Sequence, residues 1–270
     1  MNDSSLKELY STDGKIVVAS HRGFSAEFPE NTLLAFEKAV EAGTDIVEFD
    51  VRLSRDGVPV ILHDDTMDRT TDGHGPLADY TFAELKRLNA SFWRGCHDTG
   101  VRLDRPLLPD VRMPSLEEAL AALAGRVFLN IQVCCPPEGW DAVAAAYARH
   151  ELYGRAFLMV ESFVAAEAFR RIDPAIDLCV GEDRGNLRRH KEFGLTFIQP
   201  FWESVDAAFC REIKRLGLCA NMYYSNTAEG NQRYLEMGLR GIMTDNPVLL
   251  AASIAAWKAG KQPCAAEGES

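Results

Sequence analysis

The sequence predicts a (β/α)₈ barrel, an α/β fold, formed by a single domain over residues 1–270 with a catalytic core at about 16–250. Eight short apolar runs alternate with eight amphipathic stretches, and polar residues follow most of the apolar runs. Strands that alternate with helices pair in parallel through right-handed crossovers, and eight such units close a barrel. The competing architecture, a doubly wound open sheet, usually carries a glycine-rich turn after its first strand. This sequence has no such turn there.

The expected elements follow one another in order along the chain. Strands are predicted at 16–20, 45–50, 127–133, 155–162, 176–182, 196–201, 218–224 and 241–246. Helices are predicted near 32–43, 115–123, 138–150, 165–173, 186–193, 204–216, 227–238 and 247–258. Gly217 and Gly238 stand where two of these helices end, as glycine often does.

A ninth apolar run, 58–62, interrupts this alternation. Asp56-Gly57 joins it to the second strand and favours a tight two-residue hairpin, hence an antiparallel return. Counting outward from that turn places Asp50 opposite His63. The hairpin is therefore expected to bring His63 back to the carboxyl end of the second strand. Residues 65–114 are then an insertion on the catalytic face, and a loop of this length usually covers a site or shapes substrate choice.

Composition excludes several classes of function. The net charge of −11 argues against a nucleic-acid surface, because phosphate backbones need clustered Lys and Arg. No apolar run approaches a membrane span, and residues 1–15 do not have the pattern of a signal peptide. Seven scattered cysteines indicate buried reduced thiols. A cytoplasmic protein is expected, and no oligomeric state is predicted.

The candidate site combines carboxylates, histidines and an arginine. Glu48 and Asp50 lie two apart on a strand, so both point to one face and suit one Mg²⁺ or Ca²⁺ ion; the alternative is a solvated strand end. His21 and His63 flank this pair, which favours acid/base chemistry over a structural role. Arg22 suits a phosphoryl oxygen or a salt bridge to the acids.

The helix entry after the first strand offers two further polar residues. Asn31 is expected to cap the helix that follows. Glu30 is expected either to favour the positive end of that helix or to reach the site.

In combination these motifs resemble the glycerophosphodiester phosphodiesterase family. The residues that carry the resemblance run from His21-Arg22-Gly23 and Pro29-Glu30-Asn31-Thr32 through Glu48-x-Asp50, Asp56-Gly57, His63-Asp64, Asp68-Arg69-Thr70-Thr71, Pro114-Ser115-Leu116-Glu117-Glu118 and Ser162-Phe163 to Gly241-Ile242-Met243-Thr244-Asp245-Asn246-Pro247. The resemblance implies a metal-dependent barrel enzyme that hydrolyses glycerophosphodiesters to glycerol 3-phosphate and an alcohol. It implies His21 and His63 as the acid/base pair, Glu48 and Asp50 as metal ligands, and Arg22 as a phosphate contact.

The third strand departs from the family pattern, which typically reads Asn-Ile-Glu-x-Lys. Here Gln132 stands at the third metal ligand and Cys134 at the phosphate-binding lysine. Gln132 still offers a carbonyl oxygen, and Glu161 or Glu182 is a candidate for the missing carboxylate. Tyr223 replaces a frequent Trp and preserves an aromatic wall for the substrate.

Three functions remain open from the sequence. The first is the hydrolase, the second a related lyase that stops at a cyclic phosphate, and the third a protein that binds a phosphodiester without turnover. The histidines and the Glu48/Asp50 pair favour an enzyme, whereas Gln132 and Cys134 are the only support for a binding protein.

Overall fold

Eight parallel strands form a nearly closed barrel in the computed structural model, which describes residues 5–182 and 187–261. The strands are β1 (Val17–Ser20), β2 (Ile46–Leu53), β3 (Pro59–Ile61), β4 (Trp93–Arg94), β5 (Val101–Arg102), β6 (Phe128–Val133), β7 (Ala156–Val160), β8 (Leu178–Glu182), β9 (Phe197–Pro200), β10 (Cys219–Ala220) and β11 (Gly241–Thr244). The helices are α1 (Leu6–Ser11), α2 (Leu33–Glu41), α3 (Phe82–Leu85), α4 (Leu116–Leu123), α5 (Trp140–Arg149), α6 (Phe163–Ile172), α7 (Leu187–Phe193), α8 (Ala207–Leu216), α9 (Ala228–Glu236) and α10 (Pro247–Lys261).

The barrel strands lie in the order β10, β9, β8, β7, β6, β2, β1 and β11, and every neighbouring pair is parallel. A parallel bridge between Met222 and Ile242 connects the two ends of this sheet. The predicted (β/α)₈ fold is therefore confirmed.

The barrel has an inner and an outer core because successive side chains of a strand point to opposite faces. Inward residues such as Ile46, Phe197 and Met243 pack in one cluster together with Leu6 and Tyr10 of α1, which closes the amino-terminal face. The alternate residues of β2, β6 and β7 pack outward against α2, α4, α5 and α6. The carboxyl-terminal face carries polar residues towards or after the ends of the strands, such as Asp50 and Asp245.

Helix α1 is absent from the sequence prediction, because its segment is polar and short. Its local signal is a capping box. Ser5 accepts a hydrogen bond from the backbone of Glu8, and the Glu8 carboxylate accepts one from the backbone of Ser5.

The predicted register of the β2–β3 hairpin is wrong by one residue. Val51 pairs with Ile61, and the backbone N–H of Leu62 donates to Asp50, so Asp50 faces Leu62 rather than His63. The turn has three residues, because Ser54 pairs with Val58 and Gly57 adopts φ 78°. A type I turn followed by a left-handed glycine is the common three-residue hairpin. The antiparallel return itself is confirmed.

The insertion folds over the carboxyl-terminal face and contains α3 and a small β4–β5 hairpin. The six cysteines within the described residues are free thiols, and Cys264 lies outside those residues. In the described part of the chain no helix is long and apolar enough to cross a membrane.

Candidate active site

Strand register brings the predicted metal ligands together at the carboxyl end of the barrel. In the parallel pair β2–β6, Glu48 lies opposite Asn130 and Asp50 lies opposite Gln132. Residues opposite each other in register point to the same face of a sheet. Glu48, Asp50 and Gln132 therefore share the inward face of the barrel, on the carboxyl-terminal side of the inward apolar cluster.

The His21 imidazole is held by a carboxylate at the end of β11. Its Nδ1 lies 2.6 Å from Oδ1 of Asp245, and both side chains are buried. Burial opposes the charge of Asp245, but the contact with His21 and hydrogen bonds from Ser25 and Asn226 hold the pKa of Asp245 well below its ordinary range. An ionised carboxylate only accepts, so Nδ1 of His21 carries a proton and Nε2 is left for chemistry.

Two tyrosines hold the His21 ring from its other sides. The ring stacks on Tyr224 with centroids 5.6 Å apart, and Tyr223 meets it edge-on at 5.2 Å. Tyr223 therefore lies in the site, where the sequence predicted an aromatic wall.

His63 is held in the same way as His21, by an aspartate at its Nδ1. Its Nδ1 lies 2.7 Å from Oδ1 of Asp64, and Arg69 donates to both oxygens of that carboxylate. Burial raises the pKa of Asp64, but these partners outweigh it and hold the pKa well below the usual value. Both predicted acid/base histidines are thus fixed through Nδ1 by an aspartate.

Arg22 lies at the centre of a buried ionic network and adopts φ 55°. Its backbone N–H donates to Oε2 of Glu48 at 2.8 Å, its Nη1 donates to Oε1 of Glu30 at 2.9 Å, and its Nε lies 3.2 Å from Oδ2 of Asp50. The salt bridge that the sequence allowed is present. Glu30 reaches the site rather than a helix end.

Glu30 is shared between two arginines. Arg69 donates to both of its oxygens, at 2.7 and 2.8 Å, while Arg22 holds it from the other side. Burial raises the pKa of Glu30, but the two guanidinium groups lower it to about 2. The carboxylate is ionised at neutral pH.

The expected helix cap at Asn31 is wrong. Thr32 caps α2 by accepting a hydrogen bond from the backbone of Ala35. Asn31 instead donates from Nδ2 to Oδ2 of Asp50 at 2.9 Å. It holds a predicted metal ligand in place.

Glu48 has an oxygen without a partner. Its side chain is fully buried, and within residues 5–182 and 187–261 no group hydrogen-bonds its Oε1. Burial and the nearby Asp50 raise the pKa of Glu48 well above its usual value. Such an oxygen is costly in an apolar interior unless a cation or proton meets it.

The ionic network also carries an excess of negative charge. Four carboxylates, Glu30, Glu48, Asp50 and Asp64, surround the two guanidinium groups of Arg22 and Arg69. Among the described residues no group of three or more His, Cys, Asp or Glu side chains forms a metal cluster. The oxygen set available to an ion here is two carboxylates and the amide of Gln132.

The third strand end carries the departure from the family pattern. Cys134 lies with Sγ 4.0 Å from Oδ1 of Asp50, and burial and that carboxylate raise the pKa of its thiol to about 12. Glu161 is exposed and lines a cleft of about 320 Å³ together with Cys134. The side chain of Glu182 lies outside the described residues.

Several site residues had no predicted role. Asp64 and Asp245 belong to motifs that the sequence analysis identified. The signal that could have found them is the need of a catalytic histidine for a carboxylate partner. His97 gave no signal, because it comes from the insertion. Its Nδ1 lies 2.9 Å from Nη1 of Arg22, and its ring centroid is 5.0 Å from that of His63.

Known proteins resemble this chain over most of its length. The sequence model of the glycerophosphoryl diester phosphodiesterase family matches residues 21–143. A glycerophosphodiester phosphodiesterase of Bacillus subtilis is 26% identical, over 89% of this chain and 87% of its own. An uncharacterized protein of the same species, YqiK, is 40% identical, over 85% of this chain and 95% of its own.

The chain belongs to the glycerophosphodiester phosphodiesterase family. The predicted membership and the prediction of an enzyme are both confirmed. Among solved structures, an Oleispira antarctica phosphodiesterase in complex with the product sn-glycerol-3-phosphate superimposes with a TM-score of 0.75. It is 25% identical, over 88% of this chain and 96% of its own. The two chains therefore share the same barrel fold.

Proposed function

We propose that this protein hydrolyses glycerophosphodiesters to glycerol 3-phosphate and an alcohol, with His21 and His63 as its acid/base pair and one Mg²⁺ or Ca²⁺ ion as cofactor. The observation that carries the proposal is the pair of imidazoles, each held through Nδ1 by a carboxylate, at the end of the barrel that also carries Glu48 and Asp50. A fixed Nδ1–H leaves Nε2 of each ring to accept or donate a proton.

The residues present fit a hard divalent ion. The unpartnered Oε1 of Glu48, the Asp50 carboxylate and the amide oxygen of Gln132 make an all-oxygen donor set. The formal excess of two negative charges in the ionic network is what one such ion would neutralise. When bound there, the ion would polarise a phosphoryl oxygen and offset its charge.

The proposed chemistry moves two protons. One imidazole accepts at Nε2 a proton from the attacking water, whose oxygen bonds to phosphorus while the bond between phosphorus and the alcohol oxygen breaks. The other imidazole, protonated at Nε2, donates that proton to the departing alkoxide. Proton exchange with solvent water then returns both rings to their starting protonation states. Arg22 supplies positive charge beside the phosphoryl group.

The substrate class is supported by the relatives. The Oleispira antarctica enzyme holds sn-glycerol-3-phosphate, and the Bacillus subtilis relative is named for glycerophosphodiesters. A negatively charged protein gives no long-range attraction to such an anion, so local positive potential must come from Arg22 and the ion.

The test is turnover of glycerophosphodiesters by the purified protein with Mg²⁺, Ca²⁺ or Mn²⁺, followed by release of glycerol 3-phosphate. His21→Ala and His63→Ala are expected to lower kcat by at least ~100-fold, the usual worth of a general acid or base. The matched control is His74→Ala, because the His74 side chain is 79% exposed. Absence of turnover with every ion would contradict the proposal.

A further inference from the structure

The tip of the β4–β5 hairpin lies over the proposed catalytic centre. Three consecutive residues of the tip each meet a different part of the site. The thiol of Cys96 lies near Asp245, His97 contacts Arg22, and Asp98 lies near Tyr224. The insertion therefore contributes side chains to the site rather than only enclosing it.

The backbone of the tip is closely packed, and this packing fixes the positions of the three side chains. Gly95 adopts φ 97°, and the backbone N–H of Gly100 donates to Cys96 at 2.7 Å. A Cβ on Gly100 would lie 2.6 Å from both the Cys96 carbonyl and Nε1 of Trp93. At the base of the hairpin, the Arg69 guanidinium lies 5.0 Å from the Trp93 ring. The hairpin is thus joined to the ionic network at both ends.

Chemistry fixes the tautomer of His97. Guanidinium nitrogens only donate, so Nδ1 of His97 accepts the hydrogen bond from Nη1 of Arg22 at 2.9 Å. Burial and the positive charge of Arg22 lower the pKa of His97 to about 4; Arg69 and His63 act in the same direction and Glu30 opposes them. The neutral ring then carries its proton on Nε2.

We infer that His97 is a positioning residue that orients the Arg22 guanidinium for the substrate phosphate through Nδ1; this inference rests on the proposed function. Nη1 of Arg22 has two protons, and Glu30 and His97 accept one each. The guanidinium plane is fixed between the barrel and the insertion before substrate arrives. Preorganisation of this kind improves binding because less freedom is lost on association.

Two amide substitutions of His97 distinguish the role of Nδ1 from that of Nε2. The side-chain oxygen of Asn lies near the place of Nδ1, whereas the amide of Gln lies near that of Nε2. His97→Asn therefore retains an acceptor for Arg22, while His97→Gln and His97→Ala remove it. A matched control on the same hairpin is Arg94→Ala, whose side chain is exposed.

Steady-state kinetics of the metal-loaded protein tests the inference. His97→Ala and His97→Gln are expected to raise KM about tenfold with kcat nearly unchanged, because they weaken ground-state and transition-state binding alike. His97→Asn and Arg94→Ala are expected to stay near the wild-type KM. Wild-type KM in all His97 variants, or rescue by His97→Gln instead of His97→Asn, would overturn the inference.

Nitrogen NMR of the His97 ring separates failure of the inference from failure of the proposed function. In the wild-type protein Nδ1 is expected to be unprotonated at pH 7, and Arg22→Gln is expected to shift its resonance. A protonated Nδ1, or a resonance insensitive to Arg22→Gln, would overturn the inference. A protein without turnover that nonetheless gives the expected spectrum contradicts the proposed function and supports the contact.

Discussion

At the residue scale, Asp245 determines which nitrogen of His21 is available for catalysis. Its carboxylate holds Nδ1–H at 2.6 Å and is itself held by Ser25 and Asn226. An amide at this position can donate to Nδ1 and so favour the wrong tautomer. The effect of such a change falls on the chemical step rather than on substrate binding.

We expect Asp245→Asn to lower kcat by ~10²–10⁴-fold with a small change in KM, as for an aspartate that orients a catalytic histidine. Steady-state kinetics checks this. Ser25→Ala is the control, because it removes a neutral neighbour of Asp245 and leaves the carboxylate; its kcat is expected to stay within about tenfold. An Asp245→Asn variant with wild-type kcat would exclude a role for this carboxylate.

Glu30 links pH to stability. Its pKa is lowered to about 2 in the folded protein, because two arginines outweigh the cost of burial. A depressed carboxyl pKa stabilises the fold above the unfolded value of ~4.3, and this contribution is lost as the pH falls towards 2.

We expect Glu30→Gln to lower the free energy of unfolding by ~3 kcal/mol at pH 7, because it leaves buried guanidinium charge uncompensated. The difference from wild type should shrink between pH 5 and about 2. Urea denaturation as a function of pH measures this, with the exposed Glu229→Gln as control. A difference that is constant over that range would contradict the buried ion pair.

At the element scale, α2 links stability and the site. Thr32 caps the helix directly after Glu30 and Asn31, which hold Arg22 and Asp50. Helix α9 begins with an equivalent cap, Thr227, which accepts from the backbone of Gly230. The two helices thus offer a matched pair of substitutions.

Thr32→Ala and Thr227→Ala are each expected to cost ~1 kcal/mol of unfolding free energy, as N-cap removal typically does. Only Thr32→Ala is expected to lower kcat/KM as well, because it disturbs the entry to α2. Thermal unfolding and kinetics on both variants check this. If both substitutions changed kcat/KM equally, the predicted link between the start of α2 and the active site would be contradicted.

The hairpins show how far local signals reach. Asp56-Gly57 predicted the antiparallel return of β3, but the register depended on whether the turn had two or three residues. Nothing local predicted that the β4–β5 hairpin would bring His97 to Arg22, since those residues are 75 apart in the chain. Long-range contacts of an insertion depend on packing that no periodicity records.

At the scale of the whole molecule, alternating apolar runs were sufficient to predict the barrel and the strand ends that carry His21, Glu48, Asp50 and Gln132. Strand alternation fixes which side chains share the inward face, so that part of the site follows from the sequence. The ion pairs of Arg69 with Glu30 and Asp64 could not be predicted in this way. Glu30 is far from Arg69 in the chain, and the pairing depends on how the folded segments pack. The contact between Asn31 and Asp50 could not be predicted either, because the local sequence indicates only a helix cap at Asn31.

The metal proposal also concerns the whole site. Treatment with a chelator is expected to abolish turnover, and Mg²⁺ or Ca²⁺ to restore it, because the ion would offset the negative charge by which the four carboxylates of the network exceed Arg22 and Arg69. Isothermal titration with the metal alone gives a second readout, in which Glu48→Gln is expected to weaken binding. Full activity in the chelator would contradict a divalent cofactor.

The central claim is that this site is catalytic although Gln132 and Cys134 replace a carboxylate and a lysine of the family pattern. ³¹P NMR of a glycerophosphodiester incubated with the metal-loaded wild-type protein tests it most directly. We predict a growing glycerol 3-phosphate signal without accumulation of a cyclic phosphate. A stable cyclic product would indicate the lyase, and product formed only after Gln132→Glu with Cys134→Lys would contradict the claim.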